Sequence, residues 1–382
     1  MRVMITPAKW RGISCKLECG CKKLGSVHML KRLLLLILFV ALGTTGIHAI
    51  ERPQPDDAGA TYGGLPIRAR LDGMQRVWQD FNRCSAAALT MQLSYWRPDV
   101  NYWRTIDGLN PNADDVSVRL DEMTSYAEQF GLKGIERTGG TLEIIKRLVA
   151  NGFPVLIENV YYDGSNVMLD WMSHNKVVMG YDDELGVIYT FDSLLGFGAD
   201  NLGRPVPYEE LDDIWRPLNR GYFVLYEPED EPLLRQVMGE QWDIDYNIQW
   251  TYEMVLQDLE QPDTDSFDLF NLGTALVGLG RYEEAAEAYD RARAIGLPMR
   301  MFWYQFGTFE AYLQVGRYQD VMDLARNVLR NEDGIEEIYY YIARAYVAQG
   351  QPDYAIANLE VALWRNPNFS AARELMDELQ GA

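Results

Sequence analysis

Past residue 50 the chain holds one cysteine and one histidine, Cys84 and His174, out of four cysteines and three histidines in all. A thiol and an imidazole are the side chains from which a nucleophile and its base are most readily made. Cys84 follows Trp78-Gln79-Asp80-Phe81-Asn82-Arg83 and opens into the apolar, helix-favouring run Ala86 to Leu93. Asn82 is a good N-cap, which places Cys84 in the first turn of a helix. There the unpaired amides and the helix dipole favour a thiolate over a thiol. Gln79, five residues upstream, brings a side-chain amide to the same spot as an oxyanion donor. The same spacing also suits a cysteine that is only a small buried hydrophobe, so the thiol alone leaves both readings open.

The histidine has to be positioned by a sheet. His174-Asn175-Lys176-Val177-Val178-Met179-Gly180-Tyr181 reads as a strand, Asp182 to Gly186 as a turn, and Val187 to Asp192 as the returning strand. Positions 174 and 192 are symmetric about 183, so a hairpin folded there lays Asp192 beside His174. A carboxylate in that place fixes the imidazole's tautomer and leaves its other nitrogen for a thiol. Taken singly, His174 also reads as a structural strand residue and Asp192 as a turn former.

Other elements complete an α+β domain over about 71–228. Val116 to Phe130 is amphipathic with a helical period. Gly139-Gly140-Thr141 introduces a helix from Leu142 to Asn151, closed by Gly152. Phe153 to Ile157 reads as a short strand.

On these residues the domain resembles the papain-like cysteine peptidases of the bacteriocin-processing type, the peptidase_C39-like family. The resemblance rests on Gln79, Cys84, Ala86-Ala87-Ala88-Leu89, Tyr95-Trp96 and Gly152-Phe153-Pro154-Val155. It continues through His174, Val177-Val178, Gly180-Tyr181-Asp182 and Asp192, and ends on Leu211, Trp215 and Tyr222 to Tyr226. It implies Cys84 as nucleophile, His174 as base, Asp192 as its orienter and Gln79 as oxyanion donor. Three positions depart from the family's pattern: Ser85-Ala86 stands for Gly-Pro, Ser173-His174-Asn175 for Gly-His-Tyr, and Asp192-Ser193 for Asp-Pro. None removes a group that the mechanism needs.

Composition narrows the alternatives. The chain has 382 residues, 48% of them hydrophobic and 12% aromatic, enough for two folded cores. Its formal charge is −21. Residues 1–50 hold eight Lys/Arg against one acidic residue, a local +7, which leaves −28 for the remainder. A body that acidic repels phosphate backbones, so nucleic acid is disfavoured as a partner. One Cys and one His past residue 50 allow no intrachain disulfide and no Cys/His metal cluster there, and no calcium-type loop is present, so no metal or cofactor is expected. No Gly-x4-Gly-Lys-Ser/Thr sequence occurs, which sets the chain apart from transporter-coupled members of the family.

Lys31-Arg32, an apolar run from Leu33 to Leu42 and the small-residue end Gly43 to Ala49 make a secretory signal within residues 1–50, or an uncleaved membrane anchor. A true start at Met29 would give that signal ordinary length. The expected location is extracytoplasmic, secreted or membrane-anchored, with an exposed linker over 51–70.

The acidic Glu227-Pro228-Glu229-Asp230-Glu231-Pro232 marks a boundary, and 229–264 reads as linking helices. Beyond it, Gly280-Arg281-Tyr282, Gly316-Arg317-Tyr318 and Gly350-Gln351-Pro352 recur at spacings of 36 and 34. With Leu272-Gly273, Ala285, Tyr289 and Ala292, and their counterparts Ile342-Ala343, Tyr346, Ala355, Leu359 and Ala362, residues 265–382 resemble about three tetratricopeptide repeats and a capping helix at Ser370–Leu379. The middle copy is degenerate, with Phe309 and Val321 at small-residue positions and two extra residues.

The expected architecture is therefore an α+β papain-like cysteine peptidase domain followed by an all-α tetratricopeptide-repeat solenoid. The expected function is peptide-bond hydrolysis by Cys84, His174, Asp192 and Gln79, with a repeat module that engages peptide or protein. The alternatives are a catalytically inactive adaptor whose two domains both bind protein, acyl transfer to an amine rather than to water, and a repeat module that only packs on the first domain.

Overall fold

Alternation of β-branched and aromatic residues between short turns builds one antiparallel sheet. In the computed structural model, which describes residues 61–62, 64–109, 112, 114, 116–162 and 171–381, the strands are β1 (Thr61–Tyr62), β2 (Leu65–Pro66), β3 (Arg68–Arg70), β4 (Lys133–Arg137), β5 (Val155–Tyr162), β6 (Trp171–Asp182), β7 (Val187–Asp192), β8 (Arg204–Pro207) and β9 (Tyr222–Tyr226). β1 and β2 pair only with each other. The other seven form a sheet in the order β4-β9-β5-β6-β7-β8, with β3 also on β6. Arg68–Arg70 therefore lie in the sheet, although they fall in the stretch expected to be linker. The expected signal or anchor within 1–50 lies outside the described residues, as does 51–60. Among the described residues no helix is long and apolar enough to cross a membrane.

Helix α1 (Cys84–Ser94) runs through the middle of this domain. Ser85 to Ser94 are all buried, with Ala86, Ala87, Ala88 and Leu89 wholly enclosed. The helix is packed on every side, and three successive alanines let the sheet approach closely. Inside it, the Gln92 amide donates to the carbonyls of Pro154 (3.0 Å) and Phe223 (3.1 Å), tying the helix to β5 and β9. The other helices of this domain are α2 (Tyr102–Leu109), α3 (Leu120–Glu128), α4 (Leu142–Ala150) and α5 (Tyr208–Trp215), and α2 packs on α1. α4 is capped by Thr141, whose hydroxyl accepts from the Ile144 amide. The helix expected from Val116 starts only at Leu120. Arg119 is extended at φ −77°, ψ 155° and closes a capping box with Glu122, so 116–119 stays out of the helix.

The expected linking helices are α6 (Glu231–Met238) and α7 (Ile244–Asp258). Leu234, Val237 and Met238 bury into the core of the sheet domain. From α7, Asn247 and Trp250 donate to the carbonyls of Thr138 and Gly139.

Residues beyond 264 are helical: α8 (Ser266–Gly278), α9 (Tyr282–Ile295), α10 (Met301–Tyr304), α11 (Gly307–Gln314), α12 (Tyr318–Leu329), α13 (Glu336–Ala348), α14 (Pro352–Arg365) and α15 (Ser370–Gly381). Gly280, Gly316 and Gly350 sit at φ +70°, +75° and +69°, each ending the first helix of a pair in the left-handed turn that glycine adopts without strain. Phe309 and Val321 of the middle pair are wholly buried, and Phe309 stacks on Tyr341 at 5.4 Å between ring centroids.

The two helical and sheet regions share a core. Val160, Trp171 and Leu218 of the sheet domain belong to the same buried cluster as Phe267, Phe270 and Tyr289. Trp171 stacks on Phe267 at 6.1 Å. Arg216 pairs with Asp265 and Asp268, and Arg220 with Asp258.

Candidate active site

Cys84 is the first residue of α1. The cap is not Asn82 but Arg83, at φ −119°, and it makes no side-chain cap bond. Asn82 stands just before it in the left-handed region, at φ 54°, a conformation asparagine tolerates and one that turns the chain sharply into the helix. Cys84 still lies where the unpaired N–H groups of a helix start converge.

His174 and Asp192 are brought together as expected, by a different register. Across the hairpin Asp192 lies opposite Lys176, and a bulge between Val178 and Gly180 shifts the pairing. His174 is two residues from Lys176 and so on the same sheet face. Its Nε2 lies 2.9 Å from Asp192 Oδ1, and both side chains are buried. The same carboxylate oxygen accepts from the amides of Leu194 and Leu195, each at 2.9 Å. With those donors already in place the carboxylate accepts, so Nε2 carries the hydrogen and Nδ1 is left for the thiol. Cys84 is hydrogen-bonded to His174 and receives the Asn175 backbone amide as well.

Electrostatics follows from this geometry. Burial pushes the Cys84 thiol up, but hydrogen bonding to His174 and the imidazolium charge outweigh it and the thiol ends below its ordinary value. Burial pulls His174 down. The Asp192 carboxylate and the Cys84 thiolate more than offset that and push it up to about 9. Asp192 is held well below the usual carboxylate range by His174 and by Lys176, against the effect of burial. Lys176 is buried too, with its ammonium 3.2 Å from Asp192 Oδ2. Burial pulls the Lys176 amine below its ordinary value against the attraction of Asp192. In their charged forms, thiolate, imidazolium, carboxylate and ammonium alternate in sign along the chain of contacts, so each charge has an opposite neighbour. Lys176 was not singled out in the sequence. Its signal was its place two residues beyond His174 on one strand.

The three departures from the family pattern are hydrogen-bonded into the site. Asn175 Nδ2 donates to Ser85 Oγ at 3.0 Å, and Ser85 also bonds the Cys84 sulfur. Ser193 Oγ donates to Gln79 Oε1 at 2.8 Å, and the Gln79 backbone N–H donates to the Ser193 carbonyl at 3.1 Å. Holding Oε1 leaves the NH₂ end of the Gln79 amide free. Gln79, Cys84 and His174 all line one cleft of about 250 Å³. Glu136 and Glu158 lie on the same cleft. Burial and neighbouring negative charge push Glu136 up to about 7 and Glu158 up to about 8, so near neutrality Glu158 is mostly protonated and Glu136 carries a partial charge.

Residues 67–221 match the Peptidase_C39 like family, and 337–368 match the tetratricopeptide repeat. The chain joins a peptidase_C39-like domain to tetratricopeptide repeats. Among solved structures, the double glycine motif protease from an AMS/PCAT transporter, in complex with its leader peptide, is 18% identical, covering 40% of this chain and 90% of that one at a TM-score of 0.29. MamA 41-end from Desulfovibrio magneticus RS-1 is 16% identical, with 35% and 75% covered and a TM-score of 0.32. MamA MSR-1 C2 is 21% identical, with 39% and 86% covered and a TM-score of 0.30. No curated protein matches the chain. The family match spans all four expected site residues, and the repeat match falls on α13 and α14.

Proposed function

We propose that the protein is a cysteine peptidase whose Cys84, His174, Asp192 and Gln79 hydrolyse a peptide bond, joined to a repeat module that engages protein. The observation that supports this most is the continuous chain of contacts from Cys84 through His174 to Asp192, open to a cleft. In the reaction the Cys84 thiolate attacks the scissile carbonyl carbon. The negative charge that develops on oxygen is met by the free NH₂ of Gln79 and the Cys84 backbone N–H. Imidazolium Nδ1–H then protonates the leaving amine, the C–N bond breaks and an acyl-enzyme remains. Neutral His174 takes a proton from water, the hydroxide oxygen adds to the thioester carbon, and collapse releases a carboxylate and restores the thiolate–imidazolium pair.

Acyl transfer to an amine would use the same first half, and the products separate the two outcomes. Incubated with a mixed peptide pool, the wild type is expected to give new free carboxyl ends and Cys84→Ala none. Amide-linked products in their place would replace hydrolysis by transfer, and no Cys84-dependent product would favour the adaptor reading. The basic-then-apolar order of residues 31–49 supports an extracytoplasmic place of action, secreted or membrane-anchored. Fractionation of cells carrying the tagged full chain tests it.

A further inference from the structure

The connection between α9 and α11 is the longest within the repeat region. It runs from Gly296 to Phe306 and contains the one-turn helix α10, whereas six residues join α12 to α13 and four join α14 to α15. This is where the two extra residues of the degenerate copy are spent. Met299 of this segment is exposed, but its far end turns to the sheet domain. Tyr304 packs against Trp171 of β6 at 6.1 Å between ring centroids, and Tyr304, Gln305 and Phe306 line the cleft that holds Cys84 and His174. Phe306 is in turn held by Tyr341 of α13, 6.1 Å away and stacked. Val116 and Val118, in the extended run before α3, line the same cleft. One wall of the candidate active site is thus built by the repeats, and it is aromatic.

We propose that Tyr304 and Phe306 form, with Val116 and Val118, a subsite that takes a large apolar side chain of the peptide next to the attacked carbonyl. The repeat region is then a specificity element of the peptidase site, a role separate from any docking on its outer surface. The inference rests on the reading of Cys84 as a nucleophile and sharpens it by naming a substrate class. Polar backbone groups of a peptide are served on the Gln79 and His174 side, while an apolar side chain finds its contacts on the Tyr304 and Phe306 side. Losing such contacts is worth roughly 10- to 200-fold in selectivity.

The test compares three alkylating probes on the full chain, reading modification at Cys84 by peptide mapping. Two are peptidyl chloromethyl ketones that differ only in carrying Phe or Gly next to the reactive carbon, and the third is iodoacetamide. In each ketone the thiolate displaces chloride to form one S–C bond. Wild type is expected to prefer the Phe probe. Tyr304→Ala with Phe306→Ala is expected to cut the Phe-to-Gly rate ratio at least tenfold and leave the iodoacetamide rate within twofold. Gln305→Trp, which fills the subsite and removes no packing, is expected to lower the ratio in the same way. A ratio unchanged in both variants overturns the proposal. The iodoacetamide rate reports the thiolate itself: if it is no faster than for an ordinary thiol below pH 8, the nucleophile reading fails, while the ratio still reports on the wall.

Discussion

At the residue scale the site is a line of alternating charges, and each member makes a separable prediction. Asp192→Asn keeps the shape but removes the carboxylate that fixes the imidazole, so turnover is expected to fall on the order of 10²- to 10⁴-fold. Ser193 acts through Gln79, whose oxygen it holds. Ser193→Ala is expected to lower kcat by about tenfold with KM and the thiolate titration unchanged, and Ser193→Thr to restore it. A fall in kcat accompanied by a shifted titration would make Ser193 structural instead. His174 binds its proton more tightly when folded, at about 9 against roughly 6.5 free. Its pairing therefore stabilises the fold fully below about 6.5 and ceases to do so as pH rises through about 9. The stability gap between wild type and His174→Ala, measured by denaturant titration, is expected to narrow over that interval. The meeting of Cys84, His174 and Asp192 was legible in the sequence because one Cys and one His past residue 50 leave little choice and the hairpin returns Asp192 to His174. Gln79 lines the cleft that Cys84 and His174 share. The hydrogen bonds of Ser85 with Asn175 and of Ser193 with Gln79 were not legible. They join residues far apart in sequence, and only the fold reveals that departures at separate positions are each taken up by a partner.

At the element scale the hairpin β6–β7 decides the site. A turn-centred reading brought Asp192 to His174, but the hairpin closes between Glu184 and Leu185 instead of at Asp183, and the bulge near Met179 moves the ladder back by only one position, which leaves Lys176 opposite Asp192. No pattern of apolar residues marks that bulge, since β6 is buried along most of its length and offers no polar-apolar alternation to betray it. Gly180 lies beside it, and a Cβ there would come 2.9 Å from the Ala69 carbonyl oxygen on β3. Gly180→Ala is expected to cost about 1–3 kcal/mol in thermal or denaturant unfolding. A variant as stable as wild type would mean that β3 yields and does not pin the hairpin. The late start of α3 has a similar cause: the capping box of Arg119 and Glu122 overrides the helical period that begins at Val116.

At the scale of the whole molecule the described residues behave as one body. Besides the core shared through Trp171, an ion network crosses between the domains. Arg119 reaches Glu337 at 2.7 Å, and Asn366 bridges Glu122 at 2.8 Å and Glu336 at 2.6 Å. Burial and the neighbouring Glu336 push the Glu337 carboxyl well above its ordinary range against the pull of Arg119, so in Arg119→Met it takes up a proton, and the expected destabilisation is about 1–3 kcal/mol from the lost hydrogen bonds. Calorimetry is expected to show a single transition moving down in temperature; two resolved transitions would mean that the domains are coupled only loosely. The sequence showed two modules and a boundary between them. It could not show that the repeats pack onto the Cys84 cleft, because Trp171, Val160 and Leu218 read equally well as core of the first domain.

The measurement that bears most directly on the account is the pH dependence of Cys84 alkylation in the full chain, read at that residue, in wild type and His174→Ala. The thiolate–imidazolium pair requires a titration well below the roughly 8.5 of a free cysteine, returning toward that value in the mutant. A thiol that titrates like free cysteine in both proteins would contradict it.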